Sequence, residues 1–438
     1  MDGDDLPVRR DRLPNAGLLA LVVAAAGLLT GVFLAFNYAP TLEAARDSVK
    51  YIQDEVTLGW LLRGLHHWAG NLALALAAIH GWRLFWHGAY KAPRRLLWAL
   101  GGAIFLVLLG FAYTGYLLPG DERAYTGLGV MEGIAGSTPG AGEEVRTVLK
   151  GGDVVSSAML ARIYTVHTVI LPATLLGLVV AFLAAWRRRG PAPHHADESE
   201  EIVPTPAAAL KRDAFCSVGV LAFLALLAWL LPPALGAKLD ATGVGAADAM
   251  PEWFLLWVNE ALRLAGGHTF LIGAVLPGAL VALAFALPLV LRGAARAPRR
   301  RKPEIIAALL ILGALGGLTV SSLARHTAAA SEPAPSPAAT GDLAAQAAQV
   351  MEKFKCVGCH VIDGGESEQE TGPPLTRRAT TDLPAFGALY QREFFRRKVG
   401  DPKKFWEETS MRYTPKRLKP TPEELAILER WFFLEEQK

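Results

Sequence analysis

Residues 64–86 read GLHHWAGNLALALAAIHGWRLFW, an apolar run that carries His66 and His80 fourteen residues apart. On an α-helix that interval rises about 21 Å and returns to within about 40° of whole turns, so both imidazoles project from one face at two depths. A second run, YTVHTVILPATLLGLVVAFLAAW at 164–186, carries His167. Two imidazole levels inside a membrane-length bundle suit two stacked haems, each needing a partner ligand from a second helix. His167 can serve only one level. Where the next partner would fall, the chain reads Val180, Ala181, Phe182, Leu183. Three ligands are therefore visible where four are expected.

The 438 residues are 52% hydrophobic and 19% charged, with a positive mean hydropathy, which excludes a soluble multidomain enzyme and fits a polytopic membrane protein. The net charge of +3 decides nothing by itself. Apolar stretches near 16–37, 67–88, 96–118, 163–186, 215–234, 268–292 and 304–323 each approach the length needed to cross a hydrocarbon core of about 30 Å. The fold class expected is all-α: a seven-span bundle with a further small domain at its C-terminal end. The basic clusters Lys91/Arg94/Arg95, Arg187/Arg188/Arg189 and Arg296/Arg299/Arg300/Arg301/Lys302 follow spans two, four and six. By the positive-inside rule these loops and the N-terminus face the cytoplasm, and the C-terminal third emerges on the opposite side of a bacterial inner membrane. Residues 1–15 are polar and the first apolar run is long enough to remain as a helix, so an uncleaved span does the targeting.

The expected organisation is a cytoplasmic N-terminus at 1–15, a four-span haem-binding unit at 16–190, a three-span unit at 191–325, an Ala/Pro-rich tether at 326–345 and a soluble domain at 346–438. In that last domain residues 356–360 are CVGCH, the spacing that attaches a c-type haem through Cys356 and Cys359 while His360 ligates iron. A redox dithiol or half a zinc site would share the two cysteines. The one other cysteine, Cys216, falls in an apolar span, so a four-ligand zinc site cannot be built locally. Met411 is the natural sixth ligand, since a thioether raises the potential of a c haem; the alternative is a core methionine. Met351 lies too close before Cys356 to reach the far face of the haem.

Glycine repeats the histidine interval. Gly17 and Gly31 lie fourteen apart on span one, Gly101 and Gly115 fourteen apart on span three. Glycine weakens a helix relative to alanine, so its use at two levels fits close approach by a flat macrocycle; plain packing of small residues between membrane helices is the competing explanation.

The segments VTLGWLLRGLHHWAG (56–70), AIHGWR (78–83), GYLLPGDERAY (115–125), RIYTVHTVILP (162–172) and MPEWFLLWVNEALR (250–263) occur in this order. Together they make residues 1–325 resemble the cytochrome b family of quinol:cytochrome c and plastoquinol reductases, with a plan similar to the chloroplast-type cytochrome b joined to its subunit IV. The stretch GPPL at 372–375 resembles a loop of class I cytochromes c that braces the proximal histidine. The resemblance implies a subunit of a quinol:electron-acceptor oxidoreductase, in which His66 and His167 hold one b haem near the outer face and His80 a second near the cytoplasm. It implies that Glu252 takes a proton from quinol at the outer face. It also implies a homodimeric complex in membrane lipid, a partner Rieske iron–sulfur protein, the quinone pool as substrate and a downstream cytochrome or terminal oxidase. The fused c haem would then replace a separate c-type subunit. A transmembrane haem relay serving another dehydrogenase, with no quinol oxidation of its own, is the alternative that the Pro-Glu-Trp motif opposes. A bare membrane anchor for the c domain is opposed by the intramembrane histidines.

Four departures from the family pattern stand out. Phe182 replaces the fourth histidine, Phe254 an aromatic hydroxyl, and His67 an arginine. Asn15 stands where the chloroplast type carries a haem-tethering cysteine, so no covalent haem is expected in the membrane domain.

Overall fold

The computed structural model describes residues 14–41, 44–150, 157–189, 206–236, 250–265, 267–292, 296–331, 341–354, 378–379, 399 and 420–434. They are helical apart from turns and a parallel pairing of two-residue segments, Arg378–Ala379 with Phe433–Leu434. In chain order the helices are α1 (Ala16–Ala35), α2 (Ala45–Asp54), α3 (Gly59–Trp86), α4 (Arg95–Leu117), α5 (Glu122–Gly136), α6 (Gly142–Lys150), α7 (Ser157–Thr165), α8 (Leu171–Arg189), α9 (Pro206–Leu230), α10 (Leu256–Leu264), α11 (Leu276–Val290), α12 (Lys302–Ser331), α13 (Gly341–Lys353) and α14 (Pro422–Phe432). Helix thus occupies both ends of the segment expected as a 326–345 tether, because α12 runs on to Ser331 and α13 starts at Gly341.

Among the described residues, six helical stretches are long and apolar enough to cross a membrane: Ala16–Ala35, Arg95–Leu117, Ser157–Arg188, Leu210–Leu230, Leu271–Val290 and Lys302–Thr327. Seven were expected. The stretch expected as a further span, 67–88, lies in α3, whose 28 residues are long enough but whose Arg63, His66, His67, Asn71, His80 and Arg83 dilute its apolarity. Helix α3 packs against α1, α2, α4 and α9, and its Arg63, His66, Asn71 and Arg83 side chains bond to Ala234, Gly27, Trp253 and Pro14.

Two of these long helices contain a π-turn, Val166–Ile170 between α7 and α8 and Leu271–Val275 before α11. Each is followed within two residues by a proline, Pro172 or Pro277, which cannot return an N–H to the carbonyl four residues back. The ladder widens instead: Leu171 N–H reaches Val166 C=O, and Leu276 N–H reaches Leu271 C=O. Asn15 caps α1, its side-chain oxygen accepting from Gly17 N–H at 3.1 Å and Leu18 N–H at 3.3 Å.

The core of the bundle joins Val23 of α1, Ala69, Ala73 and Leu74 of α3, Val107 and Leu108 of α4, Leu175 of α8 and Leu224 of α9. On α1, α3, α4 and α8 these residues fall between the levels of Gly17 and Gly31, His80 and His66, Gly101 and Gly115, and Phe182 and His167. The core therefore separates two polar layers rather than filling the bundle from end to end.

At one end, Asp121 Oδ2 accepts from Gly236 N–H at 2.8 Å, Arg46 donates to Gly236 C=O at 3.0 Å, Arg63 donates to Ala234 C=O at 3.1 Å and Trp68 donates to Leu231 C=O at 2.8 Å. The chain after α1, after α4 and after α9 is thereby gathered in one place. At the other end, Arg301 is buried, 1% exposed, and its guanidinium donates to the Phe85 and Trp86 carbonyls that close α3, to Tyr90 Oη at 3.3 Å and to Arg296 C=O at 2.9 Å. Its guanidinium carbon also lies 5.7 Å from the ring centroids of Phe85 and Tyr90. Arg296 donates to Ala92 C=O at 2.7 Å, joining the loop after α3 to the loop before α12. Among the described residues, the chain after α1, α4 and α9 thus lies at one end and the chain after α3 and before α12 at the other, as charge suggested for these loops. Three of the residues used as charge markers, Lys91, Arg94 and Arg301, are nevertheless buried, and Arg301 acts as the C-terminal cap of α3.

Replacing Arg301 by leucine strands the α3 carbonyls and should destabilise the fold by about 2–4 kcal/mol. Thermal unfolding in detergent reads this as a lower Tm, with the spectrum of any bound haem unchanged at low temperature.

Helices α13 and α14 pack on each other through Ala347, Val350 and Met351 against Leu428, Trp431 and Phe432, with Val399 beside them. Met351 is 7% exposed and belongs to this apolar contact.

Candidate functional site

His167 sits in the π-turn Val166–Ile170, and His66 faces it from α3. Their ring centroids are 6.0 Å apart with planes at 68°. A metal ion held by two imidazole nitrogens at about 2 Å each sets ring centroids about 6 Å apart, so the spacing suits one ion between two rings.

The hydrogen bonds decide which nitrogens carry hydrogen. Thr114 Oγ1 donates to Gly110 C=O at 2.7 Å, so the same oxygen accepts from His167 Nδ1–H at 2.8 Å. His66 Nδ1 lies 2.9 Å from Gly27 C=O, which can only accept, and 3.4 Å from Thr30 Oγ1. Both Nδ1 atoms therefore carry hydrogen and both Nε2 atoms keep a lone pair, the tautomer that a metal ligand needs. Phe111 closes the side of His167 edge-on, at 5.4 Å between centroids. Among the described residues no group of three or more His, Cys, Asp or Glu side chains gathers for a metal. An ion between these two rings would thus need its remaining ligands from a prosthetic group, as a porphyrin supplies.

The glycines stand where the histidine interval placed them. A Cβ on Gly31 would lie 2.9 Å from His66 Cε1, and one on Gly115 3.1 Å from His167 Cε1. A Cβ on Gly17 would meet His80 Nε2 at 2.9 Å. At Gly17, Gly31 and Gly115, glycine leaves room for the neighbouring imidazole. Gly101 differs, since nothing lies within 4 Å of its Cβ position.

Residue reading alone missed the two threonines. Both precede the glycines of the same level, as Thr30-Gly31 and Thr114-Gly115, and that repeated pair was a readable signal. At the other level the preceding residues are Ala16 and Leu100, which offer no hydroxyl. Thr114→Val keeps the shape and removes the acceptor for His167 Nδ1–H. It should lower haem retention about 10–100-fold, read as b-type absorbance lost on detergent washing, with Thr114→Ser restoring it.

Glu252 precedes a short 3₁₀ turn, Trp253–Leu255, whose Leu255 N–H returns to Glu252 C=O at 2.8 Å. The segment is pinned on both sides. Trp253 Nε1–H donates to Asn71 Oδ1 of α3 at 2.7 Å, while Asn71 donates to His67 C=O at 3.0 Å. Further on, Glu260 of α10 is fully buried, bonded to Arg263 at 2.6 and 3.0 Å, to Ser321 at 2.9 Å and to Arg325 at 3.4 Å, the last two on α12. The Arg263 bond leads in holding the Glu260 carboxyl down at about 2. Glu252 is the opposite case: burial pushes its carboxyl above the usual range, Arg123 opposes the rise and Asp121 adds to it. A half-buried carboxylate with a raised pKa, near an arginine and at the bundle end, can accept a proton and return it to water. Asn71 was also missed, since one asparagine in an apolar run carries no periodic signal.

The candidate c-haem residues Cys356, Cys359, His360 and Met411 lie outside the described residues.

Residues 71–237 match the family described as Cytochrome b(N-terminal)/b6/petB. The chain is 41% identical over 175 residues to the menaquinol:cytochrome c reductase cytochrome b subunit of Bacillus subtilis (strain 168), which covers 40% of this chain and 78% of that protein. It is 40% identical over 174 residues to cytochrome b6 of Heliobacterium mobile, covering 40% of this chain and 82% of that one. In structure it is similar to a chain of a hyperthermophilic respiratory Complex III, with a TM-score of 0.63 and 28% sequence identity over 72% of this chain and 85% of that chain.

Proposed function

Because the chain belongs to the cytochrome b/b6 family, we propose that it is the quinol-oxidising membrane subunit of a cytochrome c reductase of the Complex III type. The observation that carries this reading is the His66–His167 pair: two imidazoles from different helices with ring centroids 6.0 Å apart, each held at Nδ1 so that Nε2 keeps its lone pair. These residues would hold one b haem and His80 a second, with Gly17, Gly31, Gly101 and Gly115 lining the two levels. Haem bound there supplies one-electron transfer between the two ends of the bundle.

The chain's own residues do the rest. Helix α3 crosses as the seventh span, and the Asp121 end of the bundle faces outward, away from the basic loops. Quinol binds near the Trp253 segment, and Glu252 accepts its proton; the match to the Bacillus subtilis subunit favours menaquinol. A Rieske iron–sulfur protein takes the first electron, since the chain has only three cysteines and CVGCH uses two of them. That motif would attach a c haem through Cys356 and Cys359, with His360 and Met411 as axial ligands. The packing of α13, which precedes the motif, against α14 near the C-terminus supports a small domain closed around it.

The test is quinol-dependent reduction of cytochrome c by the purified chain reconstituted with a Rieske protein. Turnover is expected, and Cys356→Ala should remove the covalent haem stain. Full haem content with no turnover would favour a haem relay over a quinol-oxidising subunit.

A further inference from the structure

Among the described residues the Glu252 carboxylate makes no hydrogen bond; burial and the charges of Arg123 and Asp121 are what act on it. Its place is therefore set by the backbone turn that follows it, Trp253–Leu255. That turn meets α3 through two neighbouring side chains. Phe254 packs against the apolar core that includes Ala69, Ala73 and Leu74. The Trp253 ring is 46% exposed, so packing grips only part of it, and the Nε1–H bond to Asn71 Oδ1 at 2.7 Å sets where the ring lies. The Asn71 amide is itself held in one orientation. An indole N–H can only donate and a carbonyl can only accept, so Oδ1 faces Trp253 and Nδ2 faces the His67 carbonyl, 3.0 Å away and four residues back on α3. Nδ2 also lies 3.4 Å from His67 Nε2. His66 stands five residues before Asn71, about 7.5 Å of rise along the same helix, so α3 sets both the His66 ring and the Glu252 turn.

We propose that Asn71 is a positioning residue for Glu252: its amide docks the Trp253 ring on α3 and thereby fixes the turn from which the Glu252 side chain reaches quinol. The inference rests on the proposed role of Glu252 as proton acceptor. The far end of the segment is held separately, by the bonds of Glu260 to Arg263, Ser321 and Arg325, so loss of the Asn71 amide loosens the turn without releasing α10. A base displaced by about 1 Å from the proton it takes loses about 100-fold in rate. Such a displacement acts on the chemical step rather than on quinol binding.

The experiment measures quinol-dependent cytochrome c reduction by the chain reconstituted with a Rieske protein, with b-type absorbance as the check of assembly. Asn71→Leu keeps the size and removes the amide, and should lower kcat about 10–100-fold with KM for quinol little changed. Trp253→Phe removes the same bond from its other side and should give a similar fall, and the double variant should fall no further than either. In a Glu252→Gln background Asn71→Leu should add nothing, since it acts through that carboxylate. If Asn71→Leu fails to assemble, Trp253→Phe decides, alone and in the Glu252→Gln background. An assembled Asn71→Leu at the wild-type rate, where Glu252→Gln is slow, would overturn the inference and leave the role of Glu252 standing. A fall that persists in full in the Glu252→Gln background would make Asn71 independent of the carboxylate and overturn it as well. Glu252→Gln at the wild-type rate would overturn the proposed role of Glu252 and this inference with it.

Discussion

His167→Ala should strip the haem from the Asp121 end of the bundle while leaving the c-type signal intact. The imidazole has no substitute: the residues packed around it, Phe111 and Thr114, offer an apolar ring and a hydroxyl already engaged with Gly110. His66 would be left as a lone ligand, with its Nδ1 still held at Gly27 C=O. Quinol-dependent turnover should fall at least about 100-fold, equivalent to about 2.7 kcal/mol of lost transition-state stabilisation. Reduced-minus-oxidised spectra of the purified variant check the first point and cytochrome c reduction the second. An unchanged b-type spectrum would remove His167 from the site.

Glu252→Gln should lower kcat about 100–1,000-fold with both b-haem spectra unchanged, because the amide keeps the shape and cannot take a proton. The pH dependence provides a separate check. A base works only when ionised, and burial raises the Glu252 pKa, so activity in the wild type should fall as pH drops through a value above the usual carboxylate range. The glutamine variant should lose that acid limb and retain a flat residual rate. A full acid limb in the variant would assign the titration to another group. The hydrogen bond from Trp253 to Asn71 and the buried Glu260 network hold the segment from either side, so the substitution should leave its backbone in place.

Much of the site was legible because helices make spacing into geometry. Fourteen residues between His66 and His80 require no knowledge of any other helix, and the glycine intervals on α1 and α4 repeat the same arithmetic. The loops' alternation between two ends followed from charge in the same local way. The sequence reading counted 67–88 as a span, whereas length and apolarity alone leave α3 out, because Arg63, His66, His67, Asn71, His80 and Arg83 dilute it. The threonines were hidden. Thr30 and Thr114 look like ordinary small residues until the histidine of another helix arrives beside them.

The sequence by itself determined the fourteen-residue interval between His66 and His80, a phenylalanine at 182 and a CVGCH motif after the last apolar stretch. Those are properties of intervals along one chain segment, and helix geometry converts them directly. Only the tertiary structure decided that His66 faces His167 across 6.0 Å, that each ring is held in one tautomer, and that Gly101 alone among the four glycines faces open space. Those facts depend on the register between helices distant in sequence, which side-chain packing across the bundle sets and no single segment encodes.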